Sequence, residues 1–170
     1  AGQMAVCLRM FVDLPGMKER LEVLESLLGC LEDQVSPNSV SWAFLVLAWA
    51  SLAQAWDQLI KESWANRACW KARRLIEAAK GPVKDLALML ATYSLCGYLL
   101  DHGEIEDALD LLSEAKEAIR RLRKMREGDM PDVIVEFIKH LGGDPVKTLE
   151  NQLDSWDCEL AATEGRLRLA

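Results

Sequence analysis

The stretch LATYSLCGYLLDHGEIEDALDLLSEAKEAI, residues 90–119, decides the fold class. It is rich in leucine and in residues that favour helices, yet it keeps small residues where bulky ones would add more apolar surface. Those small residues are Cys96, Gly97, Ala108 and Ala115. Two helices can pack with axes about 8 Å apart only where the residues between them are small, since larger side chains push the axes toward about 10 Å. The stretch therefore predicts two closely packed antiparallel helices joined by a short turn.

The composition favours one soluble, α-helical domain. A chain of 170 residues can bury an extensive core, and 51% hydrophobic with 28% charged residues is typical of globular proteins rather than disordered segments. Only five prolines and ten glycines are present, while leucine, alanine, glutamate, lysine and arginine are abundant, which favours helices over short strands. We predict a single all-α domain over residues 1–170, built as a bundle or right-handed array of antiparallel helix pairs with about seven helices.

The net charge and the cysteines exclude several classes of protein. A formal net charge of −7 argues against general polyanion binding, because phosphate contacts need a positive surface. The five cysteines are odd in number and far apart, and they include no C-x-x-C pair, so neither a disulfide framework nor a zinc ribbon is predicted. They are Cys7, Cys30, Cys69, Cys96 and Cys158. Free thiols are typical of a reducing compartment, so we expect a cytoplasmic location, with most of these cysteines in the core.

Amphipathic patterns predict three helices that flank the centre of the chain. Apolar residues spaced by three and four indicate a helix over about residues 14–35, with Asp13 as its N-cap, and another over about 145–163. A short helix is expected over about 131–141, after Asp129. The apolar seams of the two longer helices are Leu14, Met17, Leu21, Leu24, Leu28, Leu31 and Val35, and Val146, Leu149, Leu153, Trp156, Leu160 and Leu167.

The segment from Val40 to Lys80 contains neither glycine nor proline. Taken literally it would form one helix of about 41 residues, which is long for a globular protein. Its first part, residues 40–56, is uncharged but shorter than a typical membrane span, and we predict a central buried helix there. A helix break is expected at about Leu59 to Ser63, with Ser63 as the N-cap of the following helix.

Leucine and small residues recur in residues 89–122 with a spacing that is typical of one repeat family. The matching positions are Leu95, Cys96 and Leu99 in a first helix, Gly103 in the turn, and Ala108 and Ala115 in a second helix. This pattern resembles the tetratricopeptide repeat, a 34-residue unit of two antiparallel helices. The stretch departs from the family pattern at Thr92, where tryptophan is usual, and at Arg120, which replaces the terminal proline.

The same pattern fits residues 46–79. The matching positions are Trp49, Leu52, Ala53 and Trp56 in the first helix and Ala65 and Ala72 in the second. Ile60 stands where the family has its turn glycine, and the gap between the two units is too long for a strict tandem repeat. In the repeat interpretation Trp49 and Trp56 belong to the core of the unit. A helical bundle without repeats is the alternative architecture.

The resemblance implies a partner-binding face formed by the first helices of the two units. The matching positions are Leu47, Ala50, Gln54, Asp57 and Gln58 in one unit and Leu90, Tyr93, Gly97, Leu100 and Asp101 in the other. The face is largely apolar, and it lacks the lysines and asparagines with which some relatives bind a peptide carboxylate. We expect it to bind another protein or peptide, or else an apolar helix such as the first or last helix of this chain.

No pattern in the sequence predicts catalysis, a metal site or a cofactor. His102 and His140 lack the acidic residue three positions earlier that carboxylate di-iron bundles need, and no H-E-x-x-H motif is present. Glycine-rich phosphate loops and nucleophile-elbow patterns are also absent. We interpret both histidines as residues near helix C-termini, where positive charge is favourable.

A basic run at the end of the second unit leaves other functions open. Its cations are Lys116, Arg120, Arg121, Arg123, Lys124 and Arg126. They can offset the dipole at a helix C-terminus, or they can bind an acidic partner or nucleic acid. The leading prediction is a non-catalytic protein-interaction scaffold without membrane contact. The alternatives are a helical subunit of a nucleic-acid complex that uses the basic run, and an oligomerisation domain whose two apolar seams pair between chains.

Overall fold

The computed structural model describes residues 16–125, 130–141 and 145–169. Over these ranges the chain forms seven α-helices and no strand, which confirms the predicted all-α class. They are α1 Met17–Glu32, α2 Val40–Gln58, α3 Glu62–Ala78, α4 Pro82–Asp101, α5 Ile105–Arg123, α6 Asp132–Leu141 and α7 Pro145–Leu167. Several residues named above lie outside the described ranges: Cys7, Asp13, Leu14, Arg126 and Asp129.

The helices pack as two hairpins with three flanking helices. α2 pairs with α3, α4 pairs with α5, and the two first helices, α2 and α4, lie against each other. α1 packs on α2 at one end of this arrangement, and α7 packs on α4 and α5 at the other. The short helix α6 contacts α2, α4 and α7, so the C-terminal helices fold back over the first helices of both hairpins.

The predicted helix break at Ile60 is present. α2 ends at Gln58 and α3 begins at Glu62. Ile60 adopts a left-handed conformation with φ of 57°, and its N–H donates to the carbonyl of Asp57 at 2.8 Å. The N–H of Lys61 donates to the carbonyl of Trp56 at 3.0 Å, so the turn satisfies the last carbonyls of α2.

The expected N-cap Ser63 is wrong. Lys61 occupies the N-cap position, and Ser63 lies inside the first turn of α3. The reason is the tightness of the turn, which closes the end of α2 within three residues of Gln58 and leaves no room for a later start.

The turn between α4 and α5 repeats this geometry 43 residues later, from position 60 to position 103. Gly103 has φ of 75°, and its N–H donates to Leu100 at 3.1 Å. The N–H of Glu104 donates to Leu99 at 2.8 Å. The two hairpins therefore form a structural repeat of 43 residues, longer than the 34-residue unit whose pattern the sequence resembles.

Ile60 is the strained member of the two equivalent turns, which leads to a first prediction. A non-glycine residue in the left-handed region costs about 1–2 kcal/mol, and the Ile60 side chain is 90% exposed, so it offsets little of that cost by burial. Replacing Ile60 with glycine is expected to raise the free energy of unfolding by about 1 kcal/mol. Urea unfolding followed by circular dichroism measures this change.

The equivalent position in the second turn provides the control for that prediction. Gly103 has no neighbour that an added Cβ would strike, so Gly103→Ala tests the backbone alone and is expected to destabilise the protein. Equal stability of Ile60→Gly and the unmodified chain would contradict strain at this turn.

The small residues lie between the paired helices, as their spacing predicts. Ala53, Ala65 and Ala72 are fully buried in the first hairpin, and Ala108 and Ala115 in the second. In the second hairpin the Cys96 thiol donates to the carbonyl of Ala108 at 3.4 Å, a contact between side chain and backbone across the helix pair. The close approach predicted from these positions is confirmed.

The tryptophans of α2 belong to the core. Trp49 and Trp56 are 4% and 0% exposed, which confirms their predicted place inside the first hairpin. The Trp42 indole N–H donates to the carbonyl of Leu75 on α3 at 2.9 Å. Trp56 also packs against Trp64 of α3, with ring centroids 4.9 Å apart. The central buried helix expected over residues 40–56 is therefore confirmed.

Most described residues of the two apolar seams are buried inside the chain, although Leu31 of α1 is 42% exposed. Met17, Leu21 and Leu28 of α1 are buried, and so are the described seam residues of α7. Those of α7 are Leu149, Leu153, Trp156, Leu160 and Leu167. These buried side chains pack against neighbouring helices of the same chain, so in this conformation they do not themselves present an apolar surface to a second chain.

Among the residues that the structure describes, one helix is long and apolar enough to cross a membrane by length and composition. It is α4, in which the tested window has a mean hydropathy of 1.3. However, 78% of that window is buried by the other helices, as in the core helix of a soluble protein. Asp85, a buried carboxylate that pairs with the half-exposed Arg121 of α5, also lies in this helix.

Candidate functional site

The first-helix face is formed by the partner-binding positions that the sequence analysis named on α2 and α4. It divides into an apolar half around Leu47, Ala50 and Leu90 and a polar half around Gln58 and Asp101. Residues 43 positions apart in the sequence occupy equivalent places on α2 and α4. Gln54 and Gly97 are such a pair, and their contact shows that the two helices lie close together. A Cβ added at Gly97 would lie 3.0 Å from the Gln54 amide nitrogen. The absence of a side chain at Gly97 therefore lets Gln54 lie across α4.

The apolar half is covered by the C-terminal helices. Leu47 and Leu90 are 4% and 5% exposed, so these two predicted binding residues are not accessible to a partner in this conformation. Ala50 is fully buried as well. One turn before Leu47, the Phe44 ring lies 6.0 Å from the ring of Phe137 on α6.

One side of α6 packs against this apolar half of the first-helix face. Ile134, Phe137 and Ile138 are spaced by three and one, and all are essentially inaccessible to solvent. The Phe137 ring also stacks on Trp156 of α7, with centroids 6.1 Å apart. The apolar half of the first-helix face thus holds an amphipathic helix of the same chain, joined to the rest of the core by aromatic contacts.

Tyr93 marks the border between the two halves. It is half-buried, and the Arg166 guanidinium of α7 lies 5.7 Å from its ring centroid. The last helix therefore reaches the first-helix face, one of the occupants that the sequence allowed. Arg166 is exposed, so on this side the Tyr93 ring faces a solvent-accessible cation.

The polar half remains open at the turn ends of α2 and α4. Gln58 and Asp101 are exposed, and Leu100 is half-buried. Asp57 accepts a hydrogen bond from the ring nitrogen Nε2 of His102 at 2.8 Å when that nitrogen is protonated. This contact links the ends of the two hairpins, since Asp57 belongs to the first and His102 caps the second.

His102 is further held by an aromatic contact that the sequence did not reveal. Its ring lies 4.4 Å from the ring of Tyr98, centroid to centroid, and Tyr98 is 3% exposed. Burial is the main cause that raises the pKa of Tyr98 to about 12, with nearby carboxylates adding to the effect. The spacing of four residues between Tyr98 and His102 on one helix face is the signal that could have predicted this pair.

The basic run is used largely for contacts within the chain. Arg121 of α5 donates to both carboxylate oxygens of Asp85 of α4, at 2.6 Å to Oδ1 and 3.2 Å to Oδ2. The Asp85 hydrogen bond holds the pKa of the Arg121 guanidinium above its usual range. Arg120 pairs with Glu117 on its own helix at 3.1 Å, and Lys124 is exposed.

Two further cations of the run bind α7. Lys116 donates to Glu164 at 2.6 Å. Arg123 donates to both Asp154 and Asp157, at 2.7 and 2.6 Å. A nucleic acid would have to compete with these carboxylates, so the geometry does not favour the nucleic-acid alternative.

Within the described ranges no group of three histidine, cysteine or acidic side chains could hold a metal ion. The His140 ring nitrogen Nδ1 lies 2.8 Å from the carbonyl of Glu136 in the last turn of α6. Burial raises the pKa values of Cys69 and Cys96 to about 12, so both thiols stay protonated near neutral pH.

Comparisons of the chain with models of known protein families, with curated proteins and with solved structures found no match. The function is therefore argued from the geometry described above.

Proposed function

We propose that this chain is a non-catalytic protein-interaction scaffold of the tetratricopeptide-like type that acts in the cytoplasm. The observation that carries the proposal is the amphipathic helix α6, which the face of α2 and α4 already holds through Ile134, Phe137 and Ile138. A face that buries one helix of its own chain has the shape and chemistry to recognise protein segments. The equivalent positions on α2 and α4 support a repeat scaffold, although the unit is longer than in the family.

The polar half of the first-helix face is the proposed contact for a partner. Its exposed residues, Gln58 and Asp101, lie beside the contact between Asp57 and the His102 ring at the ends of both hairpins. Asp101 and the net charge of −7 favour a partner segment with basic side chains, because opposite charges speed association and help to orient the two surfaces.

We also propose that the chain is not an enzyme. The contacts and burial of its histidine and cysteine side chains support this. The ring nitrogen Nε2 of His102 is engaged by Asp57, and the Cys69 and Cys96 thiols are 3% and 0% exposed. A nucleophile needs access to its substrate and an adjacent base, and none of these groups has both.

Two charge reversals of equal size test the proposed contact. Asp101→Lys places the change on the polar half, and Glu106→Lys places it on an exposed position of α5 outside that half. In affinity purification from the native host at fixed salt, we expect the unmodified chain and Glu106→Lys to retain the same proteins. We expect Asp101→Lys to lose them. Retention of those proteins by Asp101→Lys, or no retained protein with any form, would contradict the proposal.

A further inference from the structure

One side of α1 carries exposed apolar residues that no contact described so far explains. Val23, Leu27 and Leu31, called the α1 stripe below, are 61%, 56% and 42% exposed. They are spaced by four residues, so they lie on one side of the helix. Single exposed leucines and valines are ordinary on a protein surface, but a continuous apolar row along one helix is typical of a surface that another segment covers.

α1, α3 and α5 are equivalent helices in one row. Left-handed residues occur at Gly16, Ile60 and Gly103, with φ of 78°, 57° and 75°, and each of the three helices begins within two residues after one of them. Ion pairs connect α1 to α3 and α3 to α5. From the spacings of these turns, a position in α1 corresponds to the position 44 residues later in α3. A position in α3 corresponds to the position 43 residues later in α5.

α3 faces α1 with the side that carries Arg67 and Lys71. These cations pair with Glu25 and Glu32 of α1, both at 2.6 Å. By the spacing of 44 residues, they correspond to the first two residues of the α1 stripe. On a helical wheel the α1 stripe also lies opposite the side of α1 that meets α3. The α1 stripe is therefore the side on which α1 would contact a preceding helix of the row.

α5 has the same relation to α3. Asp107 of α5 pairs with Arg73 of α3, and Asp110 and Glu114 line the groove between these two helices. By the spacing of 43 residues, Asp110 and Glu114 correspond to the cations with which α3 meets α1. Two helices of the row thus use this side for a helix contact. In α1 the same side is apolar and exposed.

The other end of the row is covered by the chain itself. α7 packs on α5, where Lys116 donates to Glu164 at 2.6 Å and Arg123 pairs with Asp154 at 2.7 Å. A head-to-tail contact between two copies would need both ends of the row, and within the described ranges only the α1 end is open. Two copies that meet through this row must therefore use the same end of each, which is the isologous contact of a two-fold dimer.

We propose that the α1 stripe of a second copy of this chain covers the α1 stripe in a two-fold symmetric dimer. Leu27 lies in the middle of the stripe, four residues from Val23 and four from Leu31. An antiparallel pair of α1 helices therefore places Leu27 on Leu27 of the second copy, and Val23 on Leu31. The stripe is complementary to itself, because apolar side chains meet along its whole length.

Charges near the two ends of α1 favour the antiparallel orientation. Arg20 is exposed and lies three residues before Val23, on the same side of the helix. In an antiparallel pair it lies beside the last turn of α1 in the second copy. There the negative end of the helix dipole and the C-cap residue Asp33 favour a cation. A parallel pair would instead bring the two Arg20 side chains together.

Sedimentation of the full chain at several concentrations tests the dimer. A single helix pair is a small interface, so we expect a dimer that dissociates in the range of about 1–100 µM. Leu27→Glu places an unpaired charge at the centre of the contact and is expected to raise the dissociation constant at least about tenfold. Ser26→Glu is the matched control, because it adds the same charge at an exposed position about 100° around the helix. It should leave the dissociation constant unchanged.

Two further variants test the antiparallel register. Val23→Lys and Leu31→Glu should each weaken the dimer alone, since the introduced charge meets an apolar side chain of the other copy. In an equal mixture, the introduced lysine of one chain faces the introduced glutamate of the other, while the opposite end of the pair is unmodified. We expect the mixture to dimerise with a dissociation constant at least about threefold below that of either variant alone.

Three outcomes would overturn the proposal. An unmodified chain that stays monomeric up to about 100 µM would assign the α1 stripe to a segment other than a second copy. Equal dissociation constants for Leu27→Glu and Ser26→Glu would place the dimer contact elsewhere on the protein. A mixture of Val23→Lys and Leu31→Glu that dimerises no better than its components would exclude the antiparallel register. All these measurements use the purified chain alone, so they are independent of the partner contact proposed for the first-helix face.

Discussion

Replacing Phe137 with alanine is expected to lower the free energy of unfolding by about 3–5 kcal/mol. The side chain is 1% exposed and lies between the rings of Phe44 and Trp156, at 6.0 and 6.1 Å. Its removal leaves a cavity where α6 meets α2 and α7, and the surrounding helices can fill it only in part. Guanidinium unfolding, followed by circular dichroism at 222 nm, measures the loss.

A second position on α6 serves as the control for that result. Val135 is only partly buried, and alanine has the higher helix propensity, so Val135→Ala is expected to cost less than about 1 kcal/mol. A cost below 1 kcal/mol for Phe137→Ala as well would show that α6 is not held on the first-helix face, which would remove the main support for the proposed function.

The second large effect is expected from overpacking between α4 and α5. Ala108→Leu and Ala115→Leu should each lower the free energy of unfolding by about 1–3 kcal/mol, because both alanines are fully buried at the contact of the two helices. At Ala108 the added side chain also meets the contact between the Cys96 thiol and the Ala108 carbonyl. Thermal and chemical melts of the two variants measure the effect.

An exposed alanine on α3, the equivalent helix of the first hairpin, provides the control. Its replacement by leucine measures the effect of leucine on stability without overpacking. Ala78 is exposed at the end of α3, and Ala78→Leu should leave the melting temperature almost unchanged. If Ala108→Leu and Ala115→Leu melt at the same temperature as Ala78→Leu, the close packing of this hairpin does not limit side-chain size.

Local patterns in the sequence predicted the two hairpins well. Small residues such as Ala65 and Ala108 can be recognised directly in the sequence, and the spacing expected of them depends only on the geometry of a helix pair. The break at Ile60 was predictable for the same reason, even though isoleucine is a poor residue for a left-handed turn. Ser63 was a wrong N-cap because the propensity of serine for that position is weaker than the hydrogen bonds that close the turn at Lys61.

The cover over the first-helix face could be predicted only as one possibility among several. The sequence shows that α6 and α7 are amphipathic, but it does not show which surface their apolar sides meet, since many apolar surfaces would fit them. Leu47 and Leu90 therefore looked like partner-binding residues, whereas both are buried in the chain. The resemblance to tetratricopeptide repeats remains a prediction.

Charged residues were predictable in position but not in their pairing. The basic run was visible as a cluster near the end of α5, yet its partners come from α4 and α7, far away in the sequence. Asp85 gave no local sign that its carboxylate would be buried against Arg121, because that contact depends on the register between two helices. The sequence alone therefore does not show which of these cations are engaged by carboxylates of the same chain.

The order of the helices along the chain has a consequence for biosynthesis. A ribosome releases α2 and α4 before α6 and α7. The surface around Leu47 and Leu90 therefore stays exposed to water until the last helices emerge. A nascent chain of this protein therefore exposes the apolar surface that α6 later covers. Termination of synthesis before Asp132 would leave that surface exposed to solvent.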